Sequence, residues 1–262
     1  MPKPYVIAFA NQKGGVGKTT SCVNIASIAA EKGLRVLLMD SDPQGNSTSG
    51  VGIRKRGITH TAYDVLIDGA GPADCVVKTA FKNLSAVPST LDLAGAEFEL
   101  FDAERRECRL RDFFDRCGDE YDLAVVDCPP SLSLLTVNAL TAADSVVIPM
   151  QCEYYALEGL IQLMMSIRRV KELYNPSLTV LGILITMYNG RLTLTSAVLD
   201  EIKKHYGDKL FKTVIPRAVR LSEAPGYGEP INYHDRYSKA CEAYASVTDE
   251  ILSRIGLPGA KL

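Results

Sequence analysis

A doubly wound α/β fold, with a mostly parallel sheet and helices on both faces, is what this chain predicts. Three observations carry that prediction: short continuous apolar runs recur along the sequence, helical patterns separate them, and the first junction between the two is rich in glycine. Runs that are apolar at successive positions, with no polar alternation, fit parallel strands covered on both faces.

The elements follow in order. Residues 5–10 form an apolar run of strand length, and the glycine-rich segment after it leads into a helical pattern that stops near Gly33. Residues 34–39 make a second buried-type strand after one crossover, so the opening of the chain reads as a βαβ unit with parallel strands. Residues 45–57 read as loop, short helices follow near 61–67, and 96–117 form a helical segment whose charge run (Glu104, Arg105, Arg106, Glu107, Arg109, Arg111) suits a solvated face. Strands are expected at 123–126, 145–148, 179–185 and 210–215, and helices at 156–173, 194–205 and 238–255. No Ser/Gly-rich or Pro-rich linker divides the chain and no repeat recurs, so residues 1–262 are expected to form a single domain with a short flexible tail over 256–262.

Composition narrows the classes. With 47% hydrophobic and 23% charged residues, the chain is an ordinary folded protein and not a disordered, fibrous or low-complexity one. Lys and Arg total 29 against 31 Asp and Glu, so any attraction to nucleic acid must come from a local patch. Seven cysteines (Cys22, Cys75, Cys108, Cys117, Cys128, Cys152, Cys241) are scattered without CxxC spacing, which disfavours a disulfide framework, a zinc ribbon or a thioredoxin-type centre and suits a reducing cytoplasm. The three histidines, His60, His205 and His234, share no metal-ligand spacing. The opening residues do not form a signal peptide, and no apolar stretch reaches the ~18 residues of a membrane span.

The chemistry concentrates at Lys13-Gly14-Gly15-Val16-Gly17-Lys18-Thr19-Thr20, between the first strand and its helix. A loop there can aim successive backbone N–H groups at phosphates. Lys18 then reaches the β and γ phosphates, and the Thr19 hydroxyl can ligate Mg²⁺. The general pattern GxxxxGK[ST] asks for glycine where this chain has Gln12, so the motif is a deviant Walker A loop, and the deviation comes with a second lysine, Lys13. Asp127 ends an apolar strand at the sheet edge where ligands bind, which suits a Mg²⁺-linked role. Asp40 and Asp42 follow the second strand at the same edge, Asp42 placed to orient an attacking water and Asp40 closer to the metal. Either one alone would also fit a turn aspartate before Pro43.

Lys13 to Thr20, the run Leu38-Met-Asp-Ser-Asp-Pro-Gln-Gly-Asn46, Val126-Asp-Cys-Pro-Pro-Ser131, Gln151-Cys-Glu-Tyr-Tyr-Ala-Leu-Glu-Gly159 and Pro216-Arg-Ala-Val-Arg-Leu-Ser-Glu-Ala-Pro225 together resemble the ParA/Soj family of partition ATPases, over about residues 5–255. The resemblance implies a P-loop ATPase whose two subunits sandwich two ATP molecules with Mg²⁺, Lys13 of each reaching the partner's phosphates. It implies a homodimer in the ATP state that binds DNA without sequence preference, a centromere-binding ParB-type partner that stimulates hydrolysis, and a cytoplasmic, nucleoid-associated location with no membrane attachment. Gly14 and Gly15 would then leave room for the opposing subunit.

Arg191 and Arg220 match positions the family uses for DNA backbone contact, with Lys203 and Lys204 as supporting candidates. Between 203 and 220 six cations face one acid, Asp208. Pro216 and Arg217 would lie beside the adenine. Ala218 stands where close relatives are expected to carry asparagine, and 235–240 is less arginine-rich than the family pattern. With a first strand at residue 5, no N-terminal helix-turn-helix domain is expected. Two related readings are weaker. A membrane-surface division-site ATPase needs an amphipathic basic terminal helix, which Arg254-Ile-Gly-Leu-Pro-Gly-Ala-Lys-Leu262 cannot make, and a metal-cluster carrier or reductase needs cysteines placed to share a cluster. A small-molecule kinase would leave Lys13 unexplained.

Overall fold

A computed structural model describes residues 3–154 and 156–258. In chain order the elements are β1 (Tyr5–Phe9), α1 (Lys18–Glu31), β2 (Val36–Asp40), α2 (Asn46–Gly50), α3 (Ala62–Leu66), α4 (Pro72–Cys75), β3 (Val77–Lys78) and β4 (Leu84–Val87). A 3₁₀ turn (Leu91–Ala94) precedes α5 (Ala96–Glu99), α6 (Arg109–Arg116), β5 (Leu123–Asp127), α7 (Leu134–Ala142), β6 (Ser145–Met150) and α8 (Ala156–Leu173). The chain continues with β7 (Thr179–Ile185), α9 (Thr193–Tyr206), α10 (Val219–Tyr227), α11 (Ile231–His234) and α12 (Lys239–Ile255). The strands form one sheet in the order β3-β4-β2-β5-β1-β6-β7. All neighbours are parallel except the short edge pair β3 and β4.

Alternation along each strand explains why the runs are apolar throughout. Val6, Ala8, Leu37, Met39, Ala124 and Val126 face a core completed by α6, α7 and α8. Their neighbours Ile7, Phe9, Val36, Leu38, Leu123 and Val125 face the other core, completed by α1 and α12. Successive side chains on a strand point to opposite faces, so a sheet covered on both sides needs an apolar residue at every position. α1 is buried almost throughout by small side chains such as Ser21, Cys22, Ala26 and Ala29, which let it lie close to the sheet.

Three expected elements differ. The charged segment 96–117 is not one helix: α5 and α6 are separated by turns in which Arg105 adopts a left-handed φ of 52°, and Asn138 of α7 donates to the Arg106 carbonyl at 2.8 Å, fixing the break. Within 45–57, α2 forms because Asp40 accepts from the Thr48 N–H at 2.7 Å. The segment 210–215 is not a strand. It meets β7 and the loop beyond at the parallel bridges Ile183 to Leu210 and Tyr188 to Pro216, with Phe211 and Ile215 donating to the Ile183 and Ile185 carbonyls at 3.0 and 2.8 Å. Between them the N–H of Thr213, which alternation would aim at β7, donates instead to the Glu250 carboxylate of α12 at 3.4 Å, beside the Lys212 N–H at 3.0 Å, so the carboxylate takes a donor that a strand ladder would use. The tail expected over 256–262 is described only as far as Pro258, and residues 259–262 lie outside the described residues.

Arg254 completes that clamp. Its guanidinium donates to the carbonyls of Leu181 at 2.8 Å and Leu210 at 2.9 Å, pairs with Glu250, and lies 4.2 Å over the Phe211 ring. Gly182 sits beneath it: a Cβ there would lie 2.6 Å from Phe211 Cε2 and 2.8 Å from both Arg254 Nη1 and the Lys209 carbonyl oxygen. Arg254→Ala is expected to destabilise the protein by about 2–4 kcal/mol, through lost charge-assisted bonds and stacking, and Gly182→Ala by about 1–3 kcal/mol through overpacking. Urea unfolding of both variants checks this, and wild-type midpoints would refute the clamp.

Candidate functional site

The loop 11–17 crosses the carboxyl edge of the sheet above β1, which lies between β5 and β6. Two of its carbonyls are tied outward. The Gly15 carbonyl accepts from Gln151 Nε2 at 2.7 Å and the Val16 carbonyl from Thr186 Oγ1 at 2.7 Å, whereas the Lys13 carbonyl accepts from Lys18 Nζ at 3.1 Å. In a peptide unit the N–H points opposite to the C=O, so anchoring the carbonyls outward turns the following N–H groups toward the concave side. Gly15 and Gly17 take left-handed φ values of 72° and 82° to make this path. Gly17 caps α1 with no side-chain hydrogen bond to the helix, so the first-turn N–H groups and the positive end of the helix face the same space.

Across the loop stand the carboxylates. Asp40 and Asp127 are register partners on β2 and β5, and both are buried. Asp127 accepts from Ser47 Oγ at 2.5 Å and from the Thr19 hydroxyl. Asp40 spends both oxygens locally: one accepts from Thr48 N and Oγ1 at 2.7 and 2.6 Å, the other from the Asp42 N–H at 3.2 Å. Asp42 Oδ1 accepts from the Gln44 N–H at 2.9 Å. Among the described residues no three His, Cys, Asp or Glu side chains gather as a metal cage. Thr19 and Asp127, side by side, therefore suit a cation that takes most of its ligands from phosphate and water, as Mg²⁺ does.

A cleft of about 170 Å³ opens beside the loop, lined by Gly17, Thr20, Met187, Pro216, Arg217 and Tyr244 among others. Pro216 and Arg217 are thus brought next to Thr20. The Lys13 ammonium pairs with the Glu153 carboxylate, and both side chains are about half exposed. Lys18 is buried, with its ammonium against the Lys13 carbonyl.

The basic residues lie apart from this centre. Arg191 is exposed in the loop between β7 and α9, with no ion pair among the described residues. Arg220, in the first turn of α10, pairs with Glu223 at 2.9 Å and Asp235 at 3.4 Å. Lys203 and Lys204 face Asp200 and Glu201 at 3.7 and 3.9 Å, so the excess counted over 203–220 is offset by acids just outside that window.

Sequence reasoning attached no role to Gln151, Glu153, Ser47, Thr48 or Thr186, although the first two lie in a quoted motif. They hold backbone, lysine and the two buried carboxylates, which leaves no residue-type signature. All seven cysteines are free and buried.

Burial shapes the charges. The Lys18 ammonium is lowered from its ordinary pKa by desolvation, against the pull of Asp127. Desolvation raises both Asp40 and Asp127, and Asp127 raises Asp40 further. The folded state therefore holds their protons more tightly than the unfolded chain, so stability is present below the ordinary carboxylate range and is lost as pH rises toward neutrality. Without nucleotide, urea stability is expected to fall between about pH 5 and about pH 7.5, and Asp127→Asn to shrink that fall. An unchanged slope in the variant would show that the pair does not carry it.

Comparison with known proteins then places the chain. A family model described as AAA domain matches residues 4–180. Sporulation initiation inhibitor protein Soj of Bacillus subtilis is 51% identical over 246 residues, which cover 94% of this chain and 97% of that protein. Chromosome partitioning protein ParA of Caulobacter vibrioides is 47% identical over 251 residues, covering 95% and 94%. Among solved structures, cobyrinic acid a,c-diamide synthase from Mycobacterium smegmatis, with a bound ATP analogue and magnesium, matches with a TM-score of 0.84 at 35% identity, over 97% of this chain and 96% of that one. With the family model covering most of the chain and Soj and ParA aligned along nearly all of it, the chain belongs to the Soj/ParA family of chromosome-partitioning ATPases, within the AAA-domain group.

Proposed function

We propose that this chain is a single-domain, Mg²⁺-dependent ATPase that dimerises around ATP, binds DNA nonspecifically in that state, and moves or positions a chromosome or plasmid with a centromere-binding ParB-type partner. The observation that carries the reading is a phosphate loop complete in its own chain except for one lysine, Lys13, which the loop does not use. The magnesium and ATP analogue bound to the Mycobacterium smegmatis protein support the ligand pair.

In this reading Gly14 to Thr20 bind the phosphates, Lys18 neutralises the β and γ groups, and Thr19 with Asp127 holds Mg²⁺. The metal supplies charge neutralisation on the phosphates. Asp42, with one oxygen fixed by Gln44, orients the attacking water. Asp40 leaves the metal shell for a positioning role, because its hydrogen bonds commit it to the 42–48 loop that carries Asp42 and Ser47. Pro216 and Arg217 flank the base. Lys13 acts on the partner's phosphates, as an arginine finger would. Gly14 supports this: it needs no left-handed φ, and a Cβ on it would meet only Pro130 Cβ at 4.0 Å, so nothing within one chain requires glycine there. No helix among the described residues is long and apolar enough to cross a membrane. The cytoplasmic, nucleoid-associated location follows from the DNA role.

Two measurements test the reading. Lys13→Ala and Gly14→Val should both lose the ATP-dependent dimer in light scattering while folding normally, and dimers retained in both would sink the sandwich. Binding to nonspecific duplex should appear with ATP and not with ADP or no nucleotide, Asp42→Ala should prolong it, and Arg220→Ala should abolish it at moderate salt. At low salt, any residual log–log salt slope of Arg220→Ala should be shallower by about 0.9 per lost phosphate contact. DNA binding indifferent to nucleotide would leave the ATPase and remove the positioning function.

A further inference from the structure

We propose that Gln151 is a positioning residue for phosphate binding, the group that sets the direction of the Gly15–Val16 peptide; the proposal rests on the nucleotide reading of the loop. Gln151 follows the last residue of β6, and its Nε2 donates to the Gly15 carbonyl at 2.7 Å while lying 3.1 Å from Met187 Sδ. The amide nitrogen is thus held between the loop and the residue after Thr186, which itself binds the Val16 carbonyl.

Packing leaves the Gly15 end of that peptide free. Gly15 has no side chain, and a Cβ built on it would find nothing within 4 Å, so no side-chain contact holds the unit at that end. The unit turns about ψ of Gly15 and φ of Val16: glycine frees the first torsion, while β-branched Val16 resists a full reversal that would take it to positive φ. The neighbouring peptides are held otherwise: Val16 is buried and its carbonyl is bound by Thr186, and the Lys13 carbonyl is bound by Lys18. Only the Gln151 amide holds the Gly15 carbonyl outward. Without that donor the unit rocks about the Gly15 bond, which brings the carbonyl, with its partial negative charge, nearer the phosphates and swings the Val16 N–H off them. One hydrogen bond from outside the loop therefore sets how squarely this position presents its N–H to an anion.

The same short segment also engages Lys13 through Glu153. Residues 151 and 153 thus grip loop positions 15 and 13. The Gln151 bond acts on backbone direction and the Glu153 pair on a mobile side chain, so the two separate experimentally.

The test compares wild type, Gln151→Met, Gln151→Glu and Lys18→Ala in binding of fluorescent ADP and ATP analogues, steady-state ATPase and thermal melting. Methionine keeps length and packing against Met187 without the donor. It should weaken nucleotide binding about 5- to 20-fold and raise KM with kcat largely kept, at an unchanged melting temperature. Gln151→Glu places a carboxylate oxygen against the Gly15 carbonyl and should bind more weakly still. It should recover relative to wild type as pH falls and its carboxyl becomes a donor, which a packing defect would not do. If wild type binds nucleotide, Lys18→Ala does not, and Gln151→Met binds like wild type, the positioning role alone is overturned. If wild type itself binds no nucleotide, the reading of the loop falls, and this proposal with it.

Discussion

Everything at the carboxyl edge of the sheet depends on turning the carbonyls of Gly15 and Val16 away from the space in front of α1. A glycine-rich loop has the freedom to reach such a path but no tendency to stay on it, since glycine loses more conformational entropy on ordering than any other residue. The order is imposed from two directions: Gln151 from the end of β6 and Thr186 from the end of β7. This explains why the strand order matters to the chemistry. β6 is hydrogen-bonded to β1 on the side away from β5, and β7 follows it, so their ends fall beside the loop.

The opposite side of β1 supplies the carboxylates by the same logic. Register places Asp40 against Asp127, and burying two acids on adjacent strands is unfavourable unless each is satisfied. The molecule divides the work. Asp40 is saturated by the loop it organises, with backbone N–H groups among its donors, while Asp127 accepts from side chains, the hydroxyls of Ser47 and Thr19 and the Cys22 thiol, and the hydroxyls can turn toward a cation. Two aspartates that look equivalent in sequence thus differ in availability, and the kind of donor, fixed backbone against rotatable side chain, separates them where spacing does not.

Much of the fold was legible because a sheet buried on both faces writes continuous apolar runs, and five of the six parallel strands follow such runs. β4 did not announce itself, since Ser85 interrupts a run of four residues, nor did the two residues of β3. The segment 210–215 departs from a strand for a reason invisible locally: Glu250 and Arg254, far along the chain, take the Thr213 N–H and the Leu181 carbonyl, groups that a ladder would have used. The same holds at the site. Lys18, Thr19, Asp42 and Asp127 are legible because their chemistry fixes residue type and position, and the structure gathers them. Gln151, Thr186 and Thr48 contribute hydrogen bonds to backbone or carboxylate, which many residue types at many positions could make.

The two cations that the proposed function sends outside the chain, Lys13 and Arg220, are both held by carboxylates in this state. Those pairs are exposed, and exposed pairs contribute only about 0–1 kcal/mol. A hydrogen bond from a charged donor to phosphate contributes about 1.5–3 kcal/mol, so exchanging a surface carboxylate for phosphate is favourable once phosphate is in reach. The carboxylates therefore hold the side chains in readiness without locking them, and the energetic decision lies elsewhere. A ligand moves such an equilibrium only by its differential affinity for the two states. On the proposed reading that differential comes from ATP contacted by two subunits at once, so the loop that binds the phosphates, and not the reach of Lys13 or Arg220, sets when the protein changes state.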